Sequence, residues 1–339
     1  MTHLSGKTVR IIQLGALLAG AMLAGCSKSE TPAASASASS AAPAAAPAAK
    51  TLTVGFAQTG AESGWRKANT QSMKDEAAKR GIMLKFSDGE GKQENQIAAV
   101  RNFIAQGVDV IVIAPVVEAG WDPVLREAKA AHIPVIDSDR QMVVSDPSLY
   151  ACFIGSDFTT EGKMVGDWLA AHTNGKGRIL EIQGTPGSAP AIDRHKAFVD
   201  AIAQYPGLTI IDSQSGDFRR TNGKEVMEAF LKKYGHNFDI VYAHNDDMAL
   251  GAIQAIEEAG LKPGKDVMVV SIDGLKEAVQ AVADGKMNCV VECNPLTAPL
   301  IYDAAQKIVA GGTVAAVTYN KDQLFDSTNA AAAVSTRQY

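Results

Sequence analysis

From residue 51 onward the chain alternates between two hydrophobic patterns. Short apolar runs rich in Val and Ile stand at 52–56, 83–86, 108–113, 133–136, 149–154, 178–182, 208–211, 240–243, 267–272 and 288–291. Runs of this length, nearly unbroken and bounded by turn formers, predict strands buried on both faces. Between them, apolar positions recur every three or four residues and predict helices over 67–80, 93–106, 122–131, 160–173, 192–205, 222–233, 247–259 and 296–310. Strand-helix alternation builds parallel sheets covered by helices. Ten strands are many for one sheet and ordinary for two. The expected fold is therefore α/β, with two doubly wound parallel-sheet lobes.

The first fifty residues follow neither pattern. Lys7 and Arg10 precede an apolar run over 11–25 of the length of an export signal's middle region, so residues 1–25 are expected to be a signal peptide rather than a membrane span. The run ends in Leu23-Ala24-Gly25-Cys26, which resembles the lipobox of bacterial lipoproteins and marks Cys26 as the expected lipidation site. Residues 26–50 are dominated by Ala, Ser and Pro and cannot bury a core, which predicts a tether. Losing Lys7 and Arg10 with the signal takes the formal charge from −5 to −7, which argues against a nucleic-acid partner. Besides Cys26 the chain holds Cys152, Cys289 and Cys293. On one strand the last two would lie ~13 Å apart, too far for a disulfide, so buried free thiols are expected.

In doubly wound sheets ligands sit beyond the carboxyl ends of the strands, and the residues there are unusually polar. They include Glu62-Ser63-Gly64-Trp65-Arg66, Asp137-Ser138-Asp139-Arg140, His244-Asn245-Asp246-Asp247, Asp273-Gly274 and Glu292. No Gly-x-Ser-x-Gly elbow, Gly-x-x-x-x-Gly-Lys-Ser/Thr loop or Gly-x-Gly-x-x-Gly turn is present, and no two of the six histidines stand at metal-binding spacing. Neither a cofactor nor a catalytic apparatus is expected. An Arg beside an Asp, as in Asp139-Arg140, meets the donor and acceptor roles of adjacent sugar hydroxyls. Arg66, Arg194, Asn245, Asp273 and Glu292 could add polar contacts, and Trp65 and Phe218 offer flat faces to the C–H side of a sugar ring. The plainer alternatives are core aromatics for Trp65 and Phe218 and a surface ion pair for Asp139-Arg140. Asp246 is expected to cap the helix that follows it, and His244 to be structural.

These stretches, with Lys92-Gln93-Glu94-Asn95-Gln96, Ile113-Ala114-Pro115-Val116-Val117, Gly166-Asp167-Trp168-Leu169, Ile192-Asp193-Arg194 and Ser213-Gln214-Ser215-Gly216-Asp217-Phe218, give the chain a strong resemblance. From about Leu52 to about Asn294 it resembles the ribose/galactose class of periplasmic sugar-binding proteins, and within that class the binders of galactofuranose. Two stretches depart from it, Asp137-Ser138 and the segment after Ala310. The resemblance implies a type I periplasmic binding protein with three hinge crossovers, near Gly155-Ser156, Glu292-Cys293-Asn294 and Thr318-Tyr319-Asn320. It divides the body into an N-terminal lobe of 51–155 plus 293–319 and a C-terminal lobe of 156–292 plus 320–339. It further implies a monomer that closes on a neutral, galactofuranose-like monosaccharide and delivers it to an ABC permease in the inner membrane. Trp65 and Phe218 would flank the ring, and Arg66, Asp139, Arg140, Arg194, Asn245, Asp273 and Glu292 would bond its hydroxyls. Glu62 and Asp193 are further candidates, Asp193 as a brace for Arg194. The competing readings are a ligand presenter for a chemotaxis or sensor receptor and a LacI-type sensor domain. The second lacks the basic helix-turn-helix such a regulator needs at its front.

Overall fold

The computed structural model describes residues 51–339; the expected signal, the tether and Cys26 lie outside the described residues. The chain runs β1 (Thr53–Gln58), α1 (Gly64–Arg80), β2 (Met83–Asp88), α2 (Gln93–Ala105), β3 (Val110–Ile113), α3 (Asp122–Ala130), β4 (Val135–Ser138) and β5 (Cys152–Gly155). It continues with α4 (Phe158–His172), β6 (Lys176–Gln183), α5 (Ala189–Ile202), β7 (Gly207–Ser215), α6 (Arg220–Tyr234), β8 (Ile240–Ala243), α7 (Asp246–Glu258), β9 (Met268–Asp273), α8 (Lys276–Ala283) and β10 (Cys289–Glu292). The last described elements are α9 (Ala298–Val309), β11 (Val317–Tyr319), β12 (Leu324–Asp326) and the short α10 (Ala330–Ala333).

Two six-stranded sheets result, ordered β11-β5-β4-β3-β1-β2 and β12-β10-β9-β8-β6-β7. All pairings are parallel except β10 with β12. β3 is apolar throughout because helices cover both faces of the sheet, and every one of its residues is fully buried. In each sheet the first strand lies between the second and the third, so strand order reverses beside β1 and beside β6. A crevice opens at the carboxyl ends of the strands at such a point. The chain enters the second sheet after β5, returns to the first at β11, and ends in the second at β12. Asn320 ties the passages together, its N–H donating to Gly155 O at 2.8 Å and its Nδ2 to Asn294 O at 3.1 Å.

All ten expected strands are present, with ends shifted by a few residues. Several helices begin earlier than periodicity suggests. Gly64 in α1 and Pro190 in α5 occupy first turns, where free N–H groups make a missing donor or side chain harmless. The sequence pattern missed α8, α10, β11 and β12. In α8 an Ala/Val stripe is buried, but its N-terminus lacks a side-chain cap. The two strands span three residues each, and Val317 and Tyr319 are exposed. Asp246 does not cap α7. Asn245 does, its Oδ1 accepting the Met248 N–H at 3.1 Å, because Asn245 is the last residue with extended backbone. Cys152, Cys289 and Cys293 are buried free thiols. Asp137 continues β4 inside the core, where its Oδ2 accepts the Met142 N–H at 2.8 Å and burial pushes its carboxyl well above the usual range.

Candidate functional site

Both sheets present their carboxyl ends to one cleft. After β1 the chain turns, and Ser63 caps α1 by accepting the Arg66 N–H at 3.0 Å, which aims Trp65 and Arg66 inward. After β4, Asp139 takes a left-handed conformation (φ 65°) that turns its own side chain and Arg140 into the cleft. The second sheet supplies Arg194 from α5, Phe218 after β7, Asn245 after β8, Asp273 at the end of β9 and Cys293 after β10. Phe218 is also left-handed (φ 59°), and its ring lies so close to Gly184 that a Cβ there would stand 1.8 Å from Cζ. Between these residues lies a narrow pocket walled from both sheets.

The walls touch. The Trp65 Nε1–H donates to Cys293 O at 2.5 Å, and its ring packs into the apolar cluster of the second sheet although α1 follows a strand of the first. The Arg140 guanidinium lies 5.1 Å from the Phe218 ring centre, within cation–π range. Arg194 lies 5.0 Å from the Phe158 ring and Arg66 4.6 Å from the Trp65 ring.

Three guanidiniums organise the polar groups. Arg66 Nη2 pairs with Asp139 Oδ2 at 2.7 Å, its Nε with Glu62 Oε1 at 3.3 Å, and its Nη1 donates to Gln58 Oε1 at 3.2 Å. Arg140 Nη2 reaches Glu62 Oε1 at 3.4 Å, while its Nε is 3.8 Å from Asp139. Asp139 therefore serves Arg66 more than its neighbour in sequence. Arg194 Nε pairs with Glu161 Oε2 at 2.7 Å, and its Nη1 donates to His244 O at 2.6 Å. Burial, helped by Arg66 nearby, pulls Arg140 down to about 10, against Glu62 and Asp139. Burial also opposes the charges of Glu62 and Arg194, but Arg66 and Arg140 hold Glu62 below the usual carboxylate range and Glu161 raises Arg194. Burial pushes Asp273 well above that range despite Arg194. The cleft thus offers guanidinium donors and carboxyl groups at Glu62, Asp139 and Asp273. Glu62 Oε2 and Arg140 Nε are buried with no hydrogen-bond partner in the protein.

Nine expected residues line this pocket: Glu62, Trp65, Arg66, Asp139, Arg140, Arg194, Phe218, Asn245 and Asp273. Glu292 and Asp193 do not. Glu292 is buried, but its Oε1 accepts from Arg337 Nη1 at 2.5 Å and from Tyr339 OH at 3.0 Å. Asp193 is half-buried on α5 and does not brace Arg194, a task that falls to Glu161. Sequence reasoning missed Ser63, Phe158, Pro190 and Cys293 in the lining and Glu161 behind it. Ser63 had a signal, three residues before Arg66 at a helix start. Among the described residues no His, Cys, Asp or Glu group is arranged to hold a metal, and no helix is long and apolar enough to cross a membrane.

The sequence profile of the periplasmic binding protein domain matches residues 54–313. The chain belongs to the periplasmic binding protein family. It is 56% identical over 269 residues to the galactofuranose-binding protein YtfQ of Escherichia coli (strain K12), an alignment covering 78% of this chain and 85% of YtfQ. A crystal structure of a galactofuranose binding protein superposes with TM-score 0.83 at 52% identity, over 85% of this chain and 98% of the other. The periplasmic component of the arabinose ABC transporter from Shewanella sp. ANA-3, bound to α- and β-L-arabinofuranose, gives TM-score 0.83 at 50% identity, over 85% and 96% of the two chains. As a periplasmic binding protein with these neighbours, the chain has the expected type I fold.

Proposed function

We propose that this chain is the sugar-binding protein of an ABC importer, that its ligand is a neutral furanose of the galactofuranose type, and that it binds without turnover. One observation carries the reading: a pocket walled from both sheets by Trp65, Phe218 and three guanidiniums, in which Glu62 Oε2 and Arg140 Nε still lack partners. Buried polar atoms left unpaired are costly, and a sugar hydroxyl can donate to the first and accept from the second. The guanidiniums of Arg66, Arg140 and Arg194 are already faced by Glu62, Asp139, Asp273 and Glu161, which favours a neutral polyol over a phosphate or a sugar acid. The names of the relatives supply the ring form, since both solved structures concern furanoses.

The lobes, taken as 51–155 plus 293–319 and 156–292 plus 320–339, close about the hinge because the sugar contacts both and so favours the closed state. A monomer tethered through a lipid on Cys26 then delivers the sugar to the permease.

Calorimetry with galactose and arabinose at ring equilibrium, followed by NMR of the ¹³C-labelled sugar in the complex, tests ligand and ring form together. Furanose anomeric signals alone are expected from the bound sugar. Bound pyranose signals would refute the ring assignment, and no binding of either sugar would refute the ligand class.

A further inference from the structure

The first N–H groups of a helix have no partner within it, and on α1 one of them is satisfied from the opposite side of the cleft. The Gly64 N–H donates to Asp247 Oδ2 at 2.6 Å. Gly64 opens the helix after β1 of the first sheet, whereas Asp247 lies in the first turn of α7, after β8 of the second. The other Asp247 oxygen accepts from Arg220 Nε at 3.0 Å. Arg220 is itself fixed by two bonds to Glu277, at 2.9 and 2.8 Å. The carboxylate is thus held in place before α1 arrives. The approach is tight: a Cβ on Gly64 would stand 3.2 Å from Leu275 Cδ1 and 3.3 Å from Asp247 Oδ2. Asp247 does not line the sugar pocket.

We propose that Asp247 is a positioning residue, a latch that caps α1 across the cleft and so sets the affinity for every sugar without touching any. A carboxylate at a helix N-terminus meets both free N–H groups and the positive end of the helix dipole. The bond exists only when the two rims meet. Opening the cleft returns the Gly64 N–H to water and leaves Asp247 with Arg220. An interaction confined to the closed state multiplies the affinity of every ligand that closes the protein by the same factor. It also seats the first turn that carries Trp65 and Arg66, both of which line the pocket.

The latch rests on the sugar-binding reading, and the test separates the two. Calorimetry and stopped-flow dissociation are run with galactose and arabinose on the full chain, Asp247→Ala and Asp247→Asn, with melting temperatures measured alongside. Asp247→Ala is expected to weaken both sugars by the same factor, roughly ten-fold, through faster dissociation. Asp247→Asn, which keeps an acceptor oxygen, is expected to recover part of that loss. A lower melting temperature with unchanged affinities would show a merely structural residue and overturn the latch. So would a change in the ratio of the two affinities, which would mark a direct ligand contact. Absence of binding by the unaltered chain would overturn the sugar reading and the latch with it.

Discussion

Glu292 ends a strand beside the cleft and by position should touch the ligand, yet its carboxylate belongs to the segment near Tyr339. The Arg337 and Glu292 side chains are 7% and 4% exposed and joined at 2.5 Å. Arg337 Nε also donates to Gly274 O at 2.9 Å, and its guanidinium packs on the Phe325 and Tyr339 rings. Arg337→Ala would leave the carboxylate buried with only the Tyr339 hydroxyl, 3.0 Å away. Removing one partner of a buried pair costs roughly 3–5 kcal/mol, and the surviving Tyr339 bond sets the expectation at the low end, about 3 kcal/mol. For a body of this size that amounts to a fall in melting temperature of ~6 °C, at about 2 °C per kcal/mol.

The companion variants decide the assignment. Glu292→Gln alone strands the guanidinium and should destabilise as well, whereas Arg337→Met with Glu292→Gln removes both charges and should regain most of the loss. Scanning calorimetry of the sugar-free protein reads all three. Sugar affinity in Glu292→Gln should stay within about three-fold, because a lost charged ligand contact would cost roughly ten-fold or more. A single-variant cost below about 1 kcal/mol, or a large affinity loss at unchanged melting temperature, would refute the assignment of Glu292 to the Arg337 pair.

Three other outcomes follow from particular contacts. Trp65→Ala removes a buried face and the 2.5 Å bond to Cys293 O, and should weaken sugar binding by roughly thirty-fold or more in titration calorimetry, with both lobes still folded by circular dichroism. Gly184→Ala should weaken binding about as much as Phe218→Ala, because its Cβ would displace the Phe218 ring; affinity equal to that of the unaltered chain would show that the ring does not shape the pocket. His195, whose Nδ1 lies 2.9 Å from the buried Glu181, has its pKa raised by that hydrogen bond. Its contribution to stability is therefore full below about 6.5, the ordinary histidine value, and is lost as pH rises through the higher folded value. The melting-temperature gap between the unaltered chain and His195→Gln should be widest in mild acid and close toward alkaline pH. A constant gap would refute the pairing.

What could be seen in the sequence divides along a physical line. The ten longer strands were legible because each carries a short run of apolar residues, unbroken where both faces are buried as in β3, while β11 and β12, three residues long and partly exposed, leave none. Position after a strand, together with the family resemblance, singled out nine residues that line one pocket. Orientation at those positions is settled by groups distant in the chain. Asp139 stands next to Arg140 in sequence but pairs at 2.7 Å with Arg66, which lies on another element. Arg194 is steered by Glu161, a helix residue that looked like one more polar position on α4, rather than by adjacent Asp193. Phe158 and Cys293 were invisible for the opposite reason, because an apolar residue lining a pocket has the same sequence signature as one in the core. Glu292 had the right strand and the right chemistry, and was withdrawn from the cleft by an arginine 45 residues away. Strand ends thus determine which side chains can face the cleft, and remote partners determine which of them do.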